Sequence, residues 1–259
     1  MQSPVQKSRA KNMKKIKNLA YLTVLAFFIG NMTGCKNLKR IKQENLDNLY
    51  PPENTLVIYH SAWTKEHYRE RIKEFKKAPL HVGDIVFIGD SNTEYANNWS
   101  SKLDDPKVKN RGIAGDVTDG VLKRLDEITY FRPTAVFILI GTNDLFNLYF
   151  QQQIPSVEYV ANNILNIAGI IHTRSPQTKV YVQTILPTDK NFLNQIINQT
   201  NEIIKLAETE KIFEVIDLNT SFLDEAGSLR KELTYDGTHL NKAGYAVWTT
   251  LIKPYVDSN

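Results

Sequence analysis

Four short polar clusters hold the residues of this chain that could do covalent chemistry. They are Gly89-Asp90-Ser91-Asn92, Asn110-Arg111-Gly112-Ile113-Ala114-Gly115-Asp116, Gly141-Thr142-Asn143-Asp144 and Asp236-Gly237-Thr238-His239. A serine is a poor nucleophile until an adjacent base takes its proton. Five histidines are available. His60 and His67 fall in or beside a charged amphipathic segment, and His81 precedes an apolar run. His172 falls in the last turn of a helical stretch, where it suits a surface cation. Only His239 stands in a polar loop. Asp236 is three residues earlier, near enough on one turn to orient the ring and stabilise the imidazolium. The chemistry on offer is acyl transfer through Ser91. No His/Cys group has the spacing of a metal site, and Gly112 to Gly115 lacks that of a phosphate-binding glycine loop, so no metal or organic cofactor is expected.

The clusters need elements to position them. Ile85–Ile88 is an apolar run ending at Gly89, Val108–Arg111 a shorter strand, and Ala135–Ile140 an apolar run ending at Gly141. Val180–Val182 and Phe213–Ile216 complete five strands. Helical spacing covers Trp63–Lys77, Val117–Leu125, Val157–Ile171, Phe192–Ala207 and Asn241 to about Ile252, the last closing before Pro254. Strands apolar on both faces, alternating with helices, predict a parallel sheet covered on both sides. Chemistry in such folds lies beyond the carboxyl ends of the strands. That is where these clusters fall. Each alone recurs by chance; the four in this order form a joint signal.

With those residues in place, the span Asp84–Tyr255 resembles the GDSL family of serine esterases, also called SGNH hydrolases. The stretch NRGIAGD followed by VTDGVLKRLDEI is most similar to the branch containing platelet-activating-factor acetylhydrolase. Asn92 stands where the family name has Leu, a variation expected to matter little because the serine does the chemistry. The resemblance implies catalysis by Ser91, His239 and Asp236. It also implies an oxyanion hole made of the Ser91 N–H, the Gly115 N–H and the Asn143 amide. Asp90, Asp116 and Asp144 are expected to hold loops. Together with the βα alternation this gives a flavodoxin-like three-layer α/β sandwich of about five parallel strands.

The N-terminus reads as an address. Lysines up to Lys17 precede twelve nearly all apolar residues, Leu19–Gly30, too short for a comfortable span but suited to a secretory signal. Met32-Thr33-Gly34-Cys35 resembles a bacterial lipobox, with Met32 in place of the usual Leu. Residues 1–34 are expected to be a lipoprotein signal, starting at Met1 or Met13, and Cys35 the lipidated residue. Residues 35–55 form a polar tether, and 56–259 a single hydrolase domain. The expected location is an exported, membrane-anchored bacterial lipoprotein.

Composition narrows the rest. The chain has 259 residues, 42% of them hydrophobic, which excludes dominant disorder. Six of its 32 bases lie in residues 1–35 with no acid among them, leaving 26 against 28 acids, so no nucleic-acid partner is expected. The substrate expected first is an acetyl or other short-chain ester, such as an acetylated glycan. Lysophospholipid hydrolysis is the alternative. The rival of another class is a non-catalytic glycan-binding surface lipoprotein.

Overall fold

The computed structural model describes residues 46–208 and 212–259. The signal, Cys35 and most of the tether lie outside the described residues. The five expected strands are β1 (Ile85–Gly89), β2 (Val108–Gly112), β3 (Ala135–Leu139), β4 (Lys179–Gln183) and β5 (Glu214–Ile216). They form one parallel sheet in the order β2-β1-β3-β4-β5, the flavodoxin-like arrangement. Every residue of β1 and β3 is buried, which is why both read as unbroken apolar strings.

Alternate side chains feed two cores. Val86, Ile88, Val136 and Ile138 pack beneath α4 (Thr118–Leu122), α7 (Val157–Arg174) and α8 (Asn191–Ala207). Ile85, Phe87, Ala135 and Phe137 face α3 (Trp99–Leu103) and α10 (Lys242–Asp257). There Phe87 stacks between Trp99 and Phe137 at centroid distances of 4.3 and 4.6 Å. A third, smaller cluster joins Tyr68, Ile72 and Phe75 of α1 (Ala62–Lys77) to Ile113, just beyond β2.

Three expectations change. Residues 49–55 do not all belong to a tether. Tyr50 is buried against α1 and its hydroxyl donates to Glu127 at 2.9 Å, so the packed body starts at Leu49. The helix expected over 117–125 stops at Leu122 as α4, a separate α5 (Asp126–Phe131) follows it, and between and just after them Arg124 and Glu127 turn inward to bond the end of β2. The final helix runs on through Pro254 to Asp257. Val256 is 2% exposed in the core and Tyr255 packs edge-on against Tyr181, contacts that outweigh the missing proline N–H.

Candidate active site

Three strand ends are level. Gly89 pairs with Gly112 on one side and with Leu139 on the other. The chain passes from β1 to β2 and returns past β1 to β3, so a crevice opens between strands at this reversal. Neither glycine can be replaced freely. A Cβ on Gly89 would lie 2.1 Å from the Leu139 carbonyl, and one on Gly112 would lie 2.2 Å from the Glu94 nitrogen. The close fit seats α2 (Ser91–Tyr95) directly on the strand ends.

Ser91 opens α2, with Asp90 as its cap accepting the Asn92 N–H at 3.1 Å. Its hydroxyl lies 2.9 Å from His239 Nε2, and His239 Nδ1 lies 2.7 Å from Asp236 Oδ2. A carboxylate only accepts, so Nδ1 carries the proton and Nε2 is left to accept from the serine. Asp236 Oδ1 also receives the Thr238 and His239 N–H groups, at 3.0 and 2.7 Å. Partial burial alone would raise this carboxyl, but the bonds from His239 and the backbone win and hold it below its ordinary range. The turn is pinned from outside as well: the Asp189 N–H donates to the Gly237 carbonyl at 2.8 Å.

The other predicted residues surround this relay. Gly115 has φ +78°, and a Cβ there would meet the Thr64 hydroxyl at 2.7 Å. Both facts demand glycine. Asn143 lies in the first turn of α6 (Thr142–Phe146) and gives one amide hydrogen to the Asp116 carbonyl at 2.9 Å. Its second hydrogen, like the Ser91 and Gly115 N–H groups, has no protein acceptor among the described residues. A cavity of about 230 Å³ opens beside Gly115 and Asn143, walled by Tyr59, Val117, Phe146 and Phe150. A larger hollow of about 540 Å³ lies behind α2 over Arg71, Glu94 and Arg111, and its lining includes no member of the relay.

Asp90, Asp116 and Asp144, expected to hold loops, do bond loop N–H groups, and other supports were missed by sequence reasoning. Asp116 is fully buried and accepts from His60 Nε2 at 2.9 Å and Arg124 Nε at 3.0 Å. Arg124 also donates to the Gly89 and Arg111 carbonyls, tying the ends of β1 and β2 together. Glu94 of α2 receives the Ala114 N–H and bonds His67, fixing the loop before Gly115. Asp144 receives the Thr118 N–H and hydroxyl, and burial pushes its carboxyl up to about 7. Burial does the same to Asp90, also to about 7, and one of its oxygens has no partner among the described residues. Asn92, set aside from sequence, is buried and bonds the chain next to His239. His60, Glu94 and Asn92 had no local signal, since their partners are 20 or more residues away in sequence.

The rings of Tyr95 and Tyr235 lie 5.3 and 5.8 Å from that of His239. Among the described residues no group of three or more His, Cys, Asp or Glu side chains is placed to hold a metal ion.

A family model, the GDSL-like Lipase/Acylhydrolase family, matches residues 82–247. Platelet-activating factor acetylhydrolase IB subunit alpha2 of Rattus norvegicus is 29% identical over 209 residues, 74% of this chain and 86% of that one. A solved structure from Streptococcus pneumonia, named for platelet activating factor, is 28% identical with a TM-score of 0.65, covering 75% of this chain and 94% of its own. An acetylxylan esterase from Geobacillus stearothermophilus is similar in fold, with a TM-score of 0.56 at 17% identity, covering 68% of this chain and 96% of that one.

Proposed function

Starting from a chain that belongs to the GDSL-like lipase/acylhydrolase family and is a carboxylic ester hydrolase, we propose a serine esterase that removes short acyl groups, acetyl above all, from carbohydrate oxygens. The observation that carries this reading is the continuous hydrogen-bonded line Ser91–His239–Asp236 at the carboxyl end of β1. His239 takes the serine proton as Oγ attacks the ester carbonyl. Asp236, held ionised, stabilises the imidazolium and keeps the ring in the productive tautomer. The oxyanion is received by the N–H groups of Ser91 and Gly115 and the free Asn143 hydrogen. The imidazolium then protonates the leaving alcohol. Water, activated by the same imidazole, releases the acid from Ser91 and restores the serine hydroxyl.

An acetyl group is supported by the curated relative, whose name describes an acetylhydrolase. A carbohydrate alcohol is supported by the wall next to His239, where Tyr95 and Tyr235 are 38% and 62% exposed and carry hydroxyls. The leader and Cys35 support export and anchoring through a lipidated cysteine, which fatty-acid labelling lost in Cys35→Ser would check.

The test is hydrolysis of p-nitrophenyl esters of increasing acyl length, with wild type beside Ser91→Ala. Serine-dependent turnover that falls steeply beyond acetyl is expected. Turnover maintained into long chains would favour lysophospholipids. Unchanged turnover in Ser91→Ala would remove the mechanism.

A further inference from the structure

Resting on the esterase reading, we infer that the ester is met on an extended, neutral polysaccharide chain, held by aromatic rings on both sides of Ser91. The argument starts from where the pieces of an ester must lie. His239 hands its proton to the leaving oxygen, so the leaving alcohol stands beside Nε2. The groups there are Tyr95, tilted at 48° to the imidazole, and Tyr235, nearly parallel to it at 15°. Burial and neighbouring carboxylates raise both phenols, so both remain neutral hydrogen-bond donors.

A second set of rings lies on the oxyanion side. The cavity beside Gly115 and Asn143 is walled by Phe146 and Phe150, whose rings stack at 5.9 Å. Phe150 continues outward to Tyr149 and Phe192, with centroids 5.1 and 5.8 Å away, and Tyr149 meets Phe192 at 4.4 Å. These three are 58%, 45% and 38% exposed. They are not left out by accident. Tyr149 and Phe150 ride on a π-helical turn, Asn147–Gln151, whose first residue fixes it by bonding Gln151, Gln153 and the Ile154 N–H. Such turns recur at functional positions.

The two sets belong to opposite faces of the sheet. Leu233 and Leu240, flanking Tyr235 and His239, pack in the core beneath α10. Phe146 packs on the other core, with Leu145, Ile154 and Leu193. A ligand touching both must cross the strand ends over Ser91. That suits a chain of pyranose rings, each with an apolar C–H face for an aromatic ring and hydroxyls for its surroundings. The cavity on the oxyanion side is also lined by Ser61 and Gln151, polar groups for those hydroxyls. A lipid ester would need one continuous aliphatic channel instead. Asp236, ionised beside Tyr235, disfavours an anionic polymer.

The test separates binding from turnover. The full chain carrying Ser91→Ala is run through native gels containing chemically acetylated xylan, alone and with Tyr235→Ala or Phe150→Ala added. Both rings are exposed, so truncation leaves the cores filled. The expected result is retardation by the polymer that weakens about tenfold for each ring removed. No retardation, or retardation indifferent to both rings, overturns the inference. So does a result in which Phe150→Ala alters only co-sedimentation with phosphatidylcholine vesicles, since that would assign the rings to a membrane. p-Nitrophenyl acetate hydrolysis by the wild type is measured in parallel. Ring-dependent retardation without that turnover would support the cleft and reject the esterase.

Discussion

Asn92 grips the chain on both sides of His239. Its side-chain oxygen accepts the Leu240 N–H at 3.2 Å and its amide donates to the Thr238 carbonyl at 3.4 Å, while its own carbonyl accepts the Tyr245 hydroxyl at 2.8 Å. The residue that follows the nucleophile thus fixes the distance between nucleophile and base. Asn92→Leu keeps the branched shape and removes both side-chain bonds. A fall in kcat of about 10- to 100-fold on p-nitrophenyl acetate is expected, with KM little changed, because small misplacements of a reacting group cost that much. Steady-state kinetics on folded protein check it; a wild-type kcat would mean the grip is dispensable.

Asn143→Ala deletes the neutral donor expected to face the oxyanion. The expected loss is about 10²–10³ in kcat. The fold should survive, because the side chain bonds a loop carbonyl at a partly buried position. Circular dichroism beside kinetics distinguishes lost chemistry from lost structure.

Stability should fall as pH rises, in part because of Asp90. Its carboxyl is raised by burial to about 7 in the folded chain, against about 4 when unfolded. The folded state therefore holds the proton over that interval and the unfolded state does not. By linkage the contribution is complete below about pH 4 and is lost as pH passes about 7. Asp90→Asn should flatten the decline in urea midpoint between pH 4 and 7. An unchanged pH slope would place the titration elsewhere.

Arg124→Met strands a carboxylate. Asp116 is 0% exposed, and without Arg124 it keeps only His60 and the Val117 N–H. Breaking a buried pair from one side typically costs about 3–5 kcal/mol. Urea unfolding should register a loss of that order, and adding Asp116→Asn should recover part of it by removing the uncompensated charge.

Four strands were legible as short apolar runs, whereas β2, with Lys109, Asn110 and Arg111 at its centre, read only as a shorter strand. Sequence periodicity identified α1, α7 and α8 because each buries one stripe. It did not identify α2, α3, α5 or α6, which are five or six residues long and lack room for a repeat. Ser91, His239 and Asp236 were legible as residue types in polar clusters, and the structure brings them into hydrogen-bond contact. Asp90, Asp116 and Asp144 were legible as loop-holding residues, but the long-range pairings among the supports were not. His60 and Asp116 are 56 residues apart, and Asn92 and Leu240 are 148 apart. No window along the chain contains both members of either pair. The exposed rings Tyr149 and Phe150 were not legible either, since residue spacing does not reveal the π-helical turn that carries them.

Asp236 and His239 share one turn, whereas Ser91 precedes its base by 148 residues. During synthesis the nucleophile therefore leaves the ribosome long before anything can activate it. Sheet, elbow and Gly115 loop can assemble around a serine that is still chemically silent. Reactivity arrives in one step, when the Asp–His turn docks onto Asn92 and α10 closes beneath it. An appearance of esterase activity would thus time the last docking event of folding.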